Sequence, residues 1–232
     1  MGIPIHRLRV VVFDVDDTLY SQKSFTLSGF RAAAGFLGGH CGSSSTADLF
    51  YDELVALFEA GQRVHLMNQA LERVGLGPSQ SLAHALVEAY RAHWPSVALF
   101  EDTRGVLESL RSVYRLALVT DGLWAVQQRK VQALGLTPYF DPIIYTGAWG
   151  AQFSKPHPRA FQCIQAQLQV RGESCVYVGD NPHKDFVTAK RLGWTTIRVH
   201  RPGSEHEHVA KEPHYQEDMR INQLSELVQI LS

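Results

Sequence analysis

The chain has 232 residues, 45% of them hydrophobic and 19% charged, with 22 Lys+Arg against 23 Asp+Glu and a formal net charge of -1. That balance excludes a disordered chain, and the absence of a basic field excludes bulk electrostatic attraction to nucleic acid or an anionic membrane. The length suits one large domain, or a core domain carrying an insert.

The first ten residues, MGIPIHRLRV, carry no signal-peptide pattern. His6 stands where a myristoylation signal at Gly2 needs Ser or Thr. No apolar run reaches the ~18 residues of a membrane span. The cysteines, Cys41, Cys163 and Cys175, form no CxxC pair and fit a reducing compartment. A cytoplasmic protein is expected, with no nucleic-acid or membrane partner, as a monomer or homodimer.

Leu8 to Phe13 is a short valine-rich run, the pattern of a parallel strand buried on both faces. From Ser21 to Trp94 no strand-like run occurs. Four helical segments fill that stretch, punctuated by Gly38-Gly39, Gly61 and Gly75-Leu76-Gly77-Pro78. Strand-like runs then resume at 115–120, 174–179 and 195–199, with a weaker one at 142–146. Helical segments alternate with them at about 101–113, 124–135, 157–170 and 183–192. Strand alternating with helix predicts an α/β fold, a Rossmann-like parallel sheet covered on both faces. Residues 201–220 read as polar surface loop with one edge strand, and 220–231 as one closing helix starting near Asn222 or Ser225. The expected division is 1–20 with 95–232 as the core and 21–94 as a helical insert.

Four features fall at or just beyond strand ends, where open parallel sheets bind ligands. Asp14, Asp16 and Asp17 crowd into four positions after the first strand. In extended chain i and i+2 point the same way, so Asp14 and Asp16 face one ligand while Asp17 turns aside. The stretch is no EF-hand, because Leu19 stands where Gly is needed and Phe25 where Glu is needed. Thr120 ends its strand and is followed by Asp121-Gly122, a hydroxyl beside backbone N–H groups that can hold a phosphoryl oxygen. Lys155 sits on a segment stiffened by Pro156 and Pro158. Asp180 follows the 174–179 strand, and Asp185 stands where the loop enters a helix. Taken singly, each has a plain alternative: a solvated acidic turn, an Asp-Gly turn, a surface lysine, a helix N-terminal acid.

Together they form an ordered set, and here the sequence resembles the haloacid dehalogenase-like (HAD) superfamily. "DVDDTL" (14–19) is similar to its Asp-x-Asp-x-Thr-Leu motif, "LALVT" ending at Thr120 to its second, Lys155 to its third, and "GDNPHKD" (179–185) to its fourth. The insert resembles the family's helical C1 cap. The resemblance implies a phosphatase that hydrolyses a small phosphomonoester metabolite, a sugar phosphate or nucleoside monophosphate, through an aspartyl-phosphate. It implies Asp14 as nucleophile and Asp16 as general acid/base. It implies Thr120, Asp121, Gly122 and Lys155 as the phosphate-binding set. Mg²⁺ would be held by Asp14, the Asp16 carbonyl and Asp180, with Asp185 a further ligand or a support behind the others. Repulsion between neighbouring anions is expected to raise the Asp16 pKa and keep a proton on it.

Asp16 argues against a dehalogenase, which has no leaving alkoxide to protonate. The lack of any lysine between Lys23 and Lys130 argues against a phosphonatase using a cap lysine. A phosphomutase and a non-catalytic phospho-acceptor remain as alternatives. Specificity candidates are Arg63, His65, Met67 and Asn68 in the insert, with Trp124 and Gln127 in the core. His206 and His208 read as solvated rather than metal-binding.

Overall fold

In a computed structural model, residues 5–204, 206 and 212–232 are described. The first strand, β1 (Val10–Phe13), is buried at every position, as its unbroken valine run requires. The others are β2 (Arg115–Thr120), β3 (Ile143–Tyr145), β4 (Cys175–Gly179), β5 (Thr195–Val199) and β6 (Met219–Ile221). They form one sheet of order β3-β2-β1-β4-β5-β6, with every pairing parallel. This is the doubly wound order, in which the winding direction reverses between β1 and β4 and leaves a crevice at their carboxyl ends.

The helices are α1 (Gln22–Cys41), α2 (Ser44–Glu59), α3 (Leu66–Arg73), α4 (Gln80–Ala92), α5 (Thr103–Arg111), α6 (Trp124–Ala133), α7 (Arg159–Leu168), α8 (Val187–Arg191) and α9 (Glu226–Ile230). None is long and apolar enough to cross a membrane among the described residues. The chain divides into two compact units, Met1–Gln22 with Ala98–Ser232, and Lys23–Val97. The second is all-helical. Two of its helices start where short polar side chains satisfy open N–H groups: Ser43 Oγ accepts from Thr46 N at the start of α2, and Ser79 Oγ from Leu82 N at the start of α4. Its own core gathers Phe30, Leu37, Phe50, Leu54, Leu57, Leu71 and Leu86.

One element departs from the sequence reading. The expected closing helix over 220–231 is split: Met219–Ile221 is the edge strand beside β5, and only Glu226–Ile230 is helical. Ile221 pairs with Val199 and is buried, so parallel pairing at the sheet edge overrides helical periodicity. Residues 205 and 207–211, including His208, lie outside the described residues.

One face of the sheet is packed by α7 and neighbouring aromatics. Phe161 lies 5.3 Å from Tyr177 and 5.5 Å, edge-on, from Trp194, and is fully buried. Phe161→Ala is expected to cost about 3–5 kcal/mol by loss of transfer energy plus a cavity. Urea unfolding of the purified variant measures it, and a loss under about 1 kcal/mol would contradict this packing.

Candidate active site

Strand register sets the site. Phe13 is level with Leu118 in β2 and with Val178 in β4. Asp14, Thr120 and Asp180 therefore emerge within about one residue, roughly 3.3 Å, of a common level, at the switch between β1 and β4. After Asp14 the chain turns sharply: Asp17 adopts φ 52°, which Asp tolerates better than most residues, and its Oδ1 accepts from Gln22 N at 2.9 Å. Asp17 nevertheless stays at the site, against the sequence expectation: Asp14, Asp16, Asp17 and Gln22 line a cavity of about 320 Å³ with Asp121, Gly122, Gln127, Lys130, Asp180, Asn181, Lys184 and His206.

Lys155 arrives from the segment before α7 and is fully buried at its side chain. Its Nζ donates to Asp14 Oδ1 at 2.7 Å and to Tyr177 Oη at 2.8 Å, and lies 2.8 Å from Asp185 Oδ1. Asp185 Oδ2 accepts from Asn181 N at 2.9 Å. A Cβ on Gly179 would fall 2.4 Å from that oxygen, so a glycine there is what lets the carboxylate in. Carboxylate oxygens of Asp14, Asp180 and Asp185 all lie within 4.8 Å of one another. The Asp180 Oδ2 and Thr120 Oγ1 atoms are buried without a hydrogen-bond partner. A buried all-oxygen donor set with an unsatisfied carboxylate oxygen fits a hard divalent cation such as Mg²⁺.

The chain from Leu8 to Gly193 matches the family model described as haloacid dehalogenase-like hydrolase. The chain belongs to this family. It is 31% identical over 84% of its length to the glyceraldehyde 3-phosphate phosphatase of Methanopyrus kandleri, covering 84% of that protein. It is 30% identical over 75% of its length to the phosphoserine phosphatase of Thermus thermophilus, covering 67% of that one. The HAD-hydrolase YfnB of Bacillus subtilis, solved bound to magnesium, shares the fold at a TM-score of 0.67 and 20% identity, over 97% of this chain and 99% of that one.

The hydrolase divides its charges unevenly. Burial raises the Asp14 carboxyl to about 6, with Lys155 opposing and Asp185 adding to the rise. Burial, with Asp185 and Asp14 nearby, raises Asp180 well above its ordinary value. Burial alone would lower Lys155, but the Asp14 and Asp185 charges hold its pKa well above normal. The positive charge at this point does not fully offset burial, so proton affinity rises at Asp14 and Asp180. Asp16 is the opposite case and corrects the sequence expectation. Burial pushes its carboxyl up, yet the Lys130 charge and donors from Lys130, Tyr20 and Gln127 hold it below the ordinary range.

Asp121 binds inward rather than outward. Its Oδ1 accepts from Lys155 N and Thr146 Oγ1, and Lys184 Nζ lies 3.2 Å from Oδ2. Gly122 lines the cavity with φ 121°, and a Cβ there would fall 2.9 Å from Gln127 Nε2. In the helical unit, Met67 packs into that unit's core. Arg63 is exposed, donates to the Phe58 and Gln62 carbonyls and covers the Phe58 ring, and His65 is an exposed residue with φ 56° preceding α3. Asn68 is half-buried and Trp124 exposed. His206 is half-buried and lines the cavity, with Nε2 2.9 Å from Asn181 Nδ2.

Sequence reasoning missed Lys130, Tyr177 and Lys184. For Lys130 a signal existed, since it falls three residues after Gln127 and next to Val131 on the inward face of α6.

A raised carboxyl pKa means that the folded chain binds more protons than the unfolded chain between about pH 4 and 6. Stability then falls as pH rises through that window. For Asp14 the difference amounts to about 3 kcal/mol at 1.36 kcal/mol per unit. Thermal melts of metal-free protein should show wild type losing roughly that much, relative to Asp14→Asn, between pH 4 and 7. Saturating Mg²⁺ should stabilise wild type more at pH 7.5 than at pH 5. Parallel pH profiles for wild type and variant would contradict the cluster.

Proposed function

We propose that this hydrolase is a Mg²⁺-dependent phosphatase acting on a small phosphomonoester metabolite through an aspartyl-phosphate. The observation that carries the reading is the convergence of Asp14, Thr120, Lys155, Asp180 and Asp185, from four separate stretches of chain, on one strand-end crevice. The names of the two curated relatives, a glyceraldehyde 3-phosphate phosphatase and a phosphoserine phosphatase, support a small phosphorylated metabolite over a nucleotide.

In this reading an Asp14 carboxylate oxygen attacks phosphorus in line, and the ester P–O bond breaks. Lys155 and the unpartnered Thr120 hydroxyl donate to phosphoryl oxygens, and the backbone at Asp121-Gly122 lines the same end of the cavity. Asp16 supplies the proton that leaves with the alcohol. It then takes a proton from the water that cleaves the aspartyl-phosphate. Asp16 is ionised in the resting site. A phosphate dianion bound beside it raises its pKa, so that Asp16 takes up a proton from solvent as substrate binds and then acts as the acid, while its low resting value suits the later base step. Asp14, Asp180 and the Asp16 backbone carbonyl would hold Mg²⁺, and the ion would polarise the phosphoryl group and offset its charge. Asp185, already committed to Lys155 and Asn181, braces the lysine behind the nucleophile. The unit Lys23–Val97 serves as the cap that supplies specificity.

The test is phosphate release over a panel of phosphorylated metabolites with Mg²⁺. Asp14→Asn should lose several orders of magnitude, and Asp16→Asn about 10²–10⁴-fold in kcat. Chelation should stop turnover and Mg²⁺ restore it. Undiminished hydrolysis by Asp14→Asn would remove the nucleophile and the reading with it.

A further inference from the structure

Helix α6 carries two polar residues where packing calls for apolar ones. Its buried side chains are Gln127, Lys130 and Val131, and only Val131 is hydrophobic. Gln127 and Lys130 stand at i and i+3, neighbours on one helical face. Both reach the same carboxylate across more than a hundred residues of sequence. Lys130 Nζ donates to Asp16 Oδ1 at 2.7 Å. Gln127 Nε2 donates to Asp16 Oδ2 at 3.0 Å and to the Asp121 carbonyl at 2.5 Å. The Tyr20 hydroxyl adds 2.5 Å to Oδ1.

Burying a lysine is costly, and a buried ion pair contributes little net stability compared with apolar packing. A pair kept there, aimed at a side chain lining the cavity, calls for a reason beyond the fold. Two donors on different oxygens also do more than neutralise charge: they fix the rotation of the carboxylate plane. Free rotation would spread the proton-bearing oxygen over many positions, whereas proton transfer needs about 2.6–3.2 Å to the reacting oxygen.

We infer that Lys130 and Gln127 are positioning residues for the Asp16 carboxylate, aiming its oxygens at the ester oxygen that leaves from phosphorus. The inference rests on the phosphatase reading above. The amide of Gln127 also joins Asp16 to the Asp121 carbonyl, so the phosphate-binding loop and the proton donor share one fixed reference. Lys130 and Gln127 also line the cavity, and in this inference both act on the reaction through Asp16.

A positioning role for proton donation has a signature that a structural role lacks. 4-Nitrophenoxide leaves from phosphorus with little need of a proton, while phenoxide, a much stronger base, needs one. The value of kcat/KM covers the steps up to loss of that group, whatever the later hydrolysis costs. Lys130→Met should lower kcat/KM for phenyl phosphate by about 10²-fold, and for 4-nitrophenyl phosphate by less than about tenfold. Gln127→Met should show the same selectivity to a smaller degree, and Lys130→Arg should recover part of the phenyl phosphate loss. Melting curves show whether each variant is folded. If Lys130→Met does not fold, the Gln127→Met ratio decides. Equal losses on both esters in a folded variant would overturn the inference and leave the phosphatase reading intact. Failure of the unaltered enzyme to hydrolyse either ester, with Mg²⁺ present, would instead overturn that reading and this one together.

Discussion

The ammonium of Lys155 is the constraint around which the rest of the site is arranged. It lies within 2.8 Å of Asp14, Asp185 and Tyr177 oxygens with no exposure to water. A buried cation is tolerated only when it is paired, and here two carboxylates hold it. The same arrangement leaves a surplus, because Asp180 is buried beside them with an unsatisfied oxygen. That surplus negative charge is a cost to the fold, and also the property that would suit the crevice to a cation. Stability and ligand binding are opposed at this point, as is common where carboxylates converge.

Elsewhere in the cavity two acids have cationic partners. Asp16 is paired with Lys130, and Asp121 with Lys184 and the Lys155 backbone. Excess charge is therefore confined to the Asp14 side, where phosphorus would be attacked. Neighbouring carboxylates of one short motif thus differ in proton affinity, raised at Asp14 and lowered at Asp16. Their separate environments set the two roles, as two identical side chains in one site require.

Much of this was legible in the sequence, for a physical reason. Strands buried on both faces are written as unbroken apolar runs, and in a doubly wound sheet the residues just after them are the ones that meet. Asp14, Thr120 and Asp180 could be placed from the ends of three such runs, and Lys155 from its order among them. What could not be read depends on tertiary partners. An edge strand is expected within 201–220, but the bounds Met219–Ile221 could not be read, because so short a strand has no periodicity of its own and is fixed by pairing with β5. The Asp16 expectation failed because its cation lies on a different element, 114 residues further on. Charge repulsion within the motif was visible, while the opposing charge was not.

The short segment from Thr120 to Lys130 shows why that omission matters. It leaves β2 with the unpartnered Thr120 hydroxyl, turns through Asp121 and Gly122, and enters α6 with Gln127 and Lys130 directed back at Asp16. A helix is stiff along its axis, and α6 is anchored at its inward face by buried Val131. Any displacement of the turn would therefore move the Gln127 amide, which holds the Asp121 carbonyl and the Asp16 carboxylate together. Gly122 leaves that amide its space, since a Cβ there would lie 2.9 Å from its nitrogen. In the proposed reading this stretch would carry part of the phosphate contacts and the groups that hold Asp16, while the nucleophile and its cation site would be set by β1, β4 and the Lys155 segment. The two halves of the chemistry are built on different strands and are joined at the Asp14–Asp16 turn.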